Sequence, residues 1–155
     1  MDTHTTDAAA DAFITASRAL VGMAIRSIDT VAETITVAQH RVLVLLAARG
    51  PQTIGDVAAE LAVNPSNATR HCERLSRLGL VAKQRSASDA RIVEVSLSRD
   101  GKLLLDTVTD ARRREVRAVL DRMGSRRAAE VTQALSAFSQ AAREVEDAHW
   151  ATTPW

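Results

Sequence analysis

Residues 64–81, NPSNATRHCERLSRLGLV, combine two kinds of side chain at helical spacing. Apolar or small residues recur every three or four positions and would seat one side of a helix on a core: Ala68, Cys72, Leu75 and Leu78. The opposite side is polar and consists of Ser66, Asn67, Thr69, Arg70, Glu73, Arg74 and Arg77. Arginine can pair with guanine, asparagine with adenine, and serine or threonine with bases or phosphates. Such a face is either simply solvated or a surface that contacts nucleic acid.

Catalytic chemistry has little support in the same sequence. The histidines at positions 4, 40, 71 and 149 have no metal-ligand spacing with another histidine, cysteine or acid. His71 and Cys72 are adjacent, and adjacent helical side chains point about 100° apart, so these two cannot form a dyad. We also find no glycine-rich phosphate loop and no nucleophile motif. The sequence therefore predicts no enzyme activity, no metal and no cofactor.

Charge is distributed unevenly although the net charge is only +1. Residues 1–60 hold four arginines against seven acids, which gives −3. Residues 61–99 hold seven basic residues against three acids, which gives +4, and residues 100–155 hold nine of each. The positive excess coincides with the polar helix, as expected for an anion-binding face.

Capping signals divide the surrounding region into short helices. Thr36 and Gln39 form a predicted capping box for a helix that a Gly-Pro pair ends. Thr53 caps a second helix, and the pair Asn64-Pro65 begins a third, which Gly79 terminates. Two helices joined by a turn of three or four residues have the helix-turn-helix arrangement.

The periodicity changes from helical to extended after this unit. Residues 92–97, IVEVSL, alternate and predict a strand, and Leu80-Val81 is a short β-prone segment. The intervening KQRSASDAR is polar and typical of a turn. A hairpin that directly follows the second helix of a helix-turn-helix is a wing, so we predict a winged helix-turn-helix.

The predicted wing tip carries two residues that can act together. Asp89 and Arg91 are two positions apart and lie beside Arg85. An arginine at a wing tip can enter a minor groove, where negative potential is concentrated, and Asp89 could hold its guanidinium by a bidentate pair. The alternative is a surface ion pair that stabilises the turn, and the two roles are compatible.

Long amphipathic segments flank the winged unit on both sides. Their apolar stripes are more than one small winged domain could cover, and a symmetric dimer would cover them. The fold class predicted is mainly α with a small β-hairpin wing. Its parts are a helical dimerisation region over 8–34 and 99–149, a winged helix-turn-helix over 35–98, and tails over 1–7 and 150–155.

The location of the protein is predicted from three features. A lone cysteine, Cys72, fits a reducing compartment. The acidic N-terminus does not have the pattern of a signal peptide, and the most apolar run, residues 42–48, is too short to span a bilayer. We therefore predict a cytoplasmic protein with no membrane partner. Cys72 lies on the inward stripe, which favours packing; a redox-responsive regulator that uses Cys72 is the alternative.

Two runs resemble the multiple antibiotic resistance regulator (MarR) family of bacterial winged-helix repressors. They are TIGDVAAELAVNPSNATRHCERLSRLGLV (53–81) and SDARIVEVSLSRDG (88–101), and ITVAQHRVLVLL (35–46) resembles the preceding helix of that family. The resemblance implies a homodimer that binds double-stranded DNA at a pseudo-palindromic promoter site. It implies major-groove contacts from Ser66, Asn67, Thr69, Arg70 and Arg74, and wing contacts from Arg85, Asp89 and Arg91.

The resemblance also implies a small-molecule effector, since the family often binds phenolic or aromatic acids between the dimer helices and the DNA-binding lobe. Met23, Arg26 and His40 could lie near that cleft, but each is more often a packing or surface residue, so the effector site stays unassigned. A run of three arginines, 112–114, could help hold an acidic effector or reach DNA, but the charged face of a long helix is favoured. A winged-helix module that binds protein rather than DNA is the rival interpretation.

Overall fold

The computed structural model describes residues 3–31, 35–86, 89 and 91–144. Over these residues six helices and three strands follow one another: α1 Thr3–Ile28, α2 Val37–Arg49, β1 Gln52–Thr53, α3 Ile54–Glu60, α4 Pro65–Arg77, β2 Val81–Arg85, β3 Val93–Leu97, α5 Arg99–Met123 and α6 Ser125–Ala141. The strands form one antiparallel sheet in the order β1-β3-β2. The predicted fold class, mainly α with a small hairpin, is confirmed.

The helices that lead into the site begin where the capping residues predict. The Thr36 backbone N–H donates to Gln39 Oε1 at 2.9 Å, and the Gln39 backbone N–H donates to Thr36 Oγ1 at 3.2 Å. At the start of α3 the same exchange joins Thr53 and Asp56. These hydrogen bonds satisfy backbone N–H groups that have no partner within a helix, so local sequence fixes where α2 and α3 begin.

The core lies between the helix-turn-helix, the sheet and α5. Its largest fully buried side chains include Leu43 of α2, Leu75 of α4 and Leu105 of α5, and Val95 of β3 is buried among them. Burial of one such aliphatic side chain contributes about 1.5–3 kcal/mol. The inner face of α4 is therefore held by apolar packing against neighbouring elements, which leaves its polar face directed outward.

The sheet is larger than the sequence predicts. The first hairpin strand continues beyond Val81 to Arg85, because Lys83 pairs with Val95 and Arg85 with Val93. Strand β1, which the sequence analysis did not predict, joins the other edge of β3 through Gln52 and Thr53. The segment KQR is therefore strand and not turn, since cross-strand pairing supplies backbone partners that its polar composition does not suggest.

The terminal helices also differ from their predicted limits. Helix α1 begins at Thr3, so part of the predicted 1–7 tail is helical. Helix α6 ends at Ala141 rather than near residue 149, and Arg143, with a φ of 56°, lies in a left-handed turn after it. Residues 145–155, with the predicted tail over 150–155, lie outside the described residues, and the domain limits remain predictions.

Helix α1 has a composition that the sequence analysis overlooked. Its segment Thr6–Ile28 is long and apolar enough, by length and composition, to cross a membrane. Most of its residues are exposed, and the buried ones lie near its C-terminal end, at Met23, Ser27 and Ile28. Residues 42–48 were predicted as the most apolar run, and this longer segment was not predicted from the sequence. Large apolar side chains are exposed along α1, namely Phe13, Ile14, Leu20, Val21 and Ile25. A single chain leaves this surface uncovered.

Candidate nucleic-acid interface

Helix α4 is fixed at both ends by the residues that the sequence indicated. Asn64 Oδ1 accepts a hydrogen bond from the Asn67 backbone N–H at 2.9 Å, and Pro65 occupies the first turn, where a missing N–H has no consequence. At the other end Gly79 has a φ of 73°, a left-handed conformation that favours glycine. The helix therefore presents a defined face with a defined first turn.

The two faces of α4 have the predicted orientation. Ala68, Cys72 and Leu75 are fully buried. The candidate DNA-contacting residues Ser66, Arg70 and Arg74 are exposed, and the candidates Asn67 and Thr69 are half-buried at the edges of this face. We call this exposed set, with its two flanking residues, the reading face.

Three side chains of the reading face already have partners within the helix. Arg70 Nη2 donates a hydrogen bond to Asn67 Oδ1. Thr69 Oγ1 donates to the Pro65 carbonyl oxygen at 2.9 Å. The Thr69 hydroxyl therefore uses its proton inside the chain and has only acceptor capacity left for a ligand.

The wing tip contains the bidentate pair that the sequence predicted. Arg91 Nε donates to Asp89 Oδ1 at 3.1 Å, and Arg91 Nη2 donates to Asp89 Oδ2 at 3.0 Å. The Arg91 backbone N–H also donates to Asp89 Oδ1, at 2.9 Å. These bonds from Arg91 lower the pKa of the Asp89 carboxyl below its ordinary value. The bonds to Asp89 orient the Arg91 side chain, and this side chain is accessible to a ligand because it is 91% exposed.

The third wing candidate, Arg85, has a different setting from the predicted turn. It is the last residue of β2, is exposed, and stands opposite Val93 in the hairpin. The structure thus places the candidates in two groups, the reading face on α4 and the wing residues on and beyond β2.

A hydrogen-bonded clamp connects these two groups to α5. Ser98 Oγ donates to the Gly79 carbonyl oxygen at 2.6 Å and accepts from the Gly101 backbone N–H at 3.0 Å. The Ser98 backbone N–H donates to the Leu80 carbonyl oxygen at 3.1 Å. Ser98 and Gly101 therefore join the end of α4, the start of the wing and the start of α5. The S-x-x-G spacing was visible in the sequence, but this role was not inferred from it.

A polar cluster lies where α1, α2 and α5 meet. Ser27 and His40 are buried, and Arg112 Nε donates to Ser27 Oγ at 3.3 Å. Among the described residues His40 Nε2 has no hydrogen-bond partner. Burial, followed by the charges of Arg112 and Arg41, lowers the pKa of His40 to about 4.

The inward position of Arg112 was not predicted from the sequence. Residues 112–114 were predicted to form one charged face, yet Arg112 is half-buried while Arg113 is exposed and pairs with Asp110 at 2.7 Å. The signal was available, because Arg112 follows the buried Val108 by four residues and so shares its side of the helix.

Cysteine and metal chemistry find little support in the geometry. Cys72 is fully buried, and burial raises the pKa of its thiol, which keeps it in the unreactive protonated form. This favours packing over a redox role. Over the part of the chain that the structure describes, no group of three or more histidine, cysteine, aspartate or glutamate side chains could hold a metal ion.

The fold and this site define a winged helix-turn-helix protein. A model of the MarR family matches residues 34–92. Over its whole length the chain resembles RV1404 from Mycobacterium tuberculosis, with 31% identity, 95% of this chain and 99% of that chain covered, and a TM-score of 0.85. The chain belongs to the MarR family of transcriptional regulators.

Two further relatives are similar in fold or in part of the sequence. A MarR family protein from Bacillus stearothermophilus is 22% identical, with 93% of this chain and 99% of that chain covered and a TM-score of 0.80. The HTH-type transcriptional repressor MdtR of Bacillus subtilis (strain 168) is 29% identical over 79 residues. That match spans about half of each protein, 51% of this chain and 51% of the repressor.

Proposed function

We propose that this protein is a homodimeric transcriptional repressor of the cytoplasm that binds a pseudo-palindromic promoter site. The observation that carries the proposal is the exposed reading face of α4 beside a wing whose arginine is held outward by Asp89. In helix-turn-helix proteins the N-terminal part of the second helix meets the base edges. Each reading face would enter a major groove, each Arg91 would enter a minor groove, and bound protein would cover the promoter.

The proposal is tested by titration of a duplex from the region upstream of the coding sequence against a scrambled duplex. The logarithm of the affinity should fall linearly with the logarithm of salt concentration, with a slope of about −0.9 for each phosphate contact. A winged module that binds protein would give equal, weak and salt-independent binding to both duplexes. That result would refute the proposal.

Within this assay, Arg70→Ala should weaken binding to the specific duplex by roughly 1–3 kcal/mol, because a bidentate arginine–guanine contact has that magnitude. Binding to the scrambled duplex should change much less. The matched control is Arg126→Ala on α6, which removes the same charge from a side chain paired with Glu130. Equal effects of the two substitutions would mean that Arg70 acts only through its charge.

The wing gives a separate prediction. Arg91→Ala should weaken DNA binding and leave the melting temperature nearly unchanged, because the Arg91–Asp89 pair is exposed and such pairs add little stability. Filter binding and thermal unfolding on the same preparation measure both effects. A large drop in melting temperature with unchanged DNA affinity would show that the wing arginine is purely structural.

The dimer is supported by the uncovered apolar surface. Ile14, Val21 and Ile25 recur on one side of α1 at spacings of seven and four and are exposed. On α6, Leu135 and Phe138 are exposed, and the Phe138 ring stacks on that of Phe13 with centroids 4.5 Å apart. Exposed apolar surface of this extent is typical of an interface, and a second copy of α1 and α6 would cover it.

Sedimentation equilibrium tests the dimer directly. Val21→Asp should shift the protein toward monomer, because a carboxylate would be buried in the interface without a partner. Leu103→Asp is the matched control, since Leu103 on α5 and Val21 are each 55% exposed in the single chain. The dimer proposal fails if the wild type is monomeric, and the placement of its interface on α1 fails if Val21→Asp leaves the mass of a dimeric wild type unchanged.

Responsiveness to a small molecule forms the remaining part of the proposal. The polar cluster of Ser27, His40 and Arg112 lies where α2 of the helix-turn-helix region meets the long helices α1 and α5. A ligand that changes the hydrogen bonds at this junction would favour one arrangement of these helices over another, and DNA affinity would change with it. Arg26, which was also considered near such a cleft, is exposed and pairs with Glu115 at 2.6 Å.

A further inference from the structure

The first turns of α4 contain a side-chain pair, although the sequence treats its members as two separate DNA contacts. Arg70 Nη2 donates a hydrogen bond to Asn67 Oδ1, one turn earlier on the helix. A guanidinium has donors and no acceptor, so only the oxygen of the amide can face it favourably. The Asn67 oxygen is therefore turned toward Arg70. Recognition of adenine by asparagine instead needs the amide oxygen and nitrogen presented together to one base edge.

Asn67 is suited to act as a fixed anchor. Its backbone N–H donates to Asn64 Oδ1 at 2.9 Å, and the residue is half-buried. Arg70 is long and exposed, so on its own it would sample many rotamers. The bond to Asn67 restricts these rotamers and uses one of the five N–H groups of the guanidinium. The remaining groups can still bind a ligand, with less conformational entropy to lose on binding.

We propose that Asn67 is a positioning residue that holds the Arg70 guanidinium for paired hydrogen bonds to O6 and N7 of a guanine in each half-site. This inference rests on the proposed function and adds to it the residue that orients the arginine for its guanine. Asn67 determines specificity through Arg70 and does not itself read adenine. Two-fold symmetry of the dimer places the guanine at equivalent positions in the two half-sites.

The test uses the footprinted upstream duplex with each guanine replaced in turn by 7-deazaguanine, which lacks N7. For the wild type, one guanine in each half-site should be sensitive, with an affinity loss on the order of ten-fold. Arg70→Ala should be insensitive to that replacement. Asn67→Ala should lose most of the discrimination while circular dichroism and melting temperature stay close to those of the wild type.

Asn67→Asp is the matched variant, because it keeps an oxygen acceptor at the same place and removes only the amide donor. It should retain the discrimination between guanine and 7-deazaguanine even where the added negative charge lowers its overall affinity. The double variant Asn67→Ala/Arg70→Ala should be as insensitive to 7-deazaguanine as Arg70→Ala alone, since Asn67 acts through Arg70.

The outcomes separate this inference from the function on which it rests. Absence of any preference of the wild type for the specific duplex overturns the proposed repressor function and the inference with it. Specific binding in which Asn67→Ala keeps the guanine discrimination, or loses a preference for an adenine instead, overturns the positioning role alone. Loss of discrimination in folded Asn67→Asp would also overturn the positioning role, because it would show that the amide donor of Asn67 is the group required.

Discussion

Gly101→Ala is expected to lower the free energy of unfolding by about 3 kcal/mol, the upper part of the range for overpacked sites. A Cβ at this position would overlap the Leu80 carbonyl oxygen and lie 2.8 Å from Leu97 Cδ1. The carbonyl belongs to backbone that Ser98 already holds, so it cannot move away without breaking the clamp. The loss should exceed the gain of up to about 1 kcal/mol that alanine brings to a helix over glycine.

Urea denaturation measures this effect, and Gly55→Ala supplies the control. Gly55 is exposed in α3, and the nearest atom to an added Cβ is Thr53 Oγ1 at 3.6 Å, an ordinary contact. Gly55→Ala should therefore be neutral or stabilising. If Gly101→Ala were equally well tolerated, the close approach of α5 to the start of the wing would not exist in solution. DNA binding by folded Gly101→Ala should also weaken, because the clamp sets the wing relative to α4.

Acidification is expected to destabilise the protein between pH 6.5 and pH 4 through His40. In the folded chain the pKa of His40 is lowered from 6.5 to about 4, mainly by burial and then by the charges of Arg112 and Arg41. In the unfolded chain His40 therefore becomes protonated near pH 6.5, whereas in the folded chain it stays neutral until about pH 4. The contribution of His40 to the free energy of unfolding is therefore fully present above pH 6.5 and is lost as the pH falls toward 4. The total loss is roughly 3 kcal/mol.

The contribution of His40 is separated from that of other groups by substitution. His40→Leu should flatten the curve of unfolding free energy against pH between pH 7 and pH 4, because leucine fills a similar volume and binds no proton. His71→Leu, on the half-exposed side of α4, is measured beside it as the control for the replacement of a histidine by leucine. Parallel curves for the wild type and His40→Leu would show that His40 is accessible to protons in the folded protein.

Much of the winged helix-turn-helix could be predicted from the sequence, because its capping residues and its wing-tip pair are formed by residues close together in the chain. Thr36, Thr53 and Asn64 each bond to a residue three positions later, so a few neighbouring residues determine where α2, α3 and α4 begin. The pair Asp89–Arg91 is likewise formed by residues two apart. The inward stripe of α4 follows from helical periodicity alone.

The parts that could not be predicted depend on residues far apart in the chain. Strand β1 is two residues long, too short for any periodicity, and exists because Gln52 and Thr53 meet β3 some forty residues later. The strand character of KQR has the same origin. The inward position of Arg112 depends on Ser27, which lies on another helix. In each of these cases the partner lies on a distant segment of the chain, so that only the packing of the folded protein determines it.

The sequence by itself determined where α2, α3 and α4 begin, the inner face of α4 and the ion pair at the wing tip, because these features depend on residues close together in the chain. Only the tertiary structure decided that Gly101 must lack a side chain, that His40 stays neutral, and how far the wing strands extend. Those properties arise from steric contact, desolvation and strand pairing with distant segments, which come into existence only when the chain is folded.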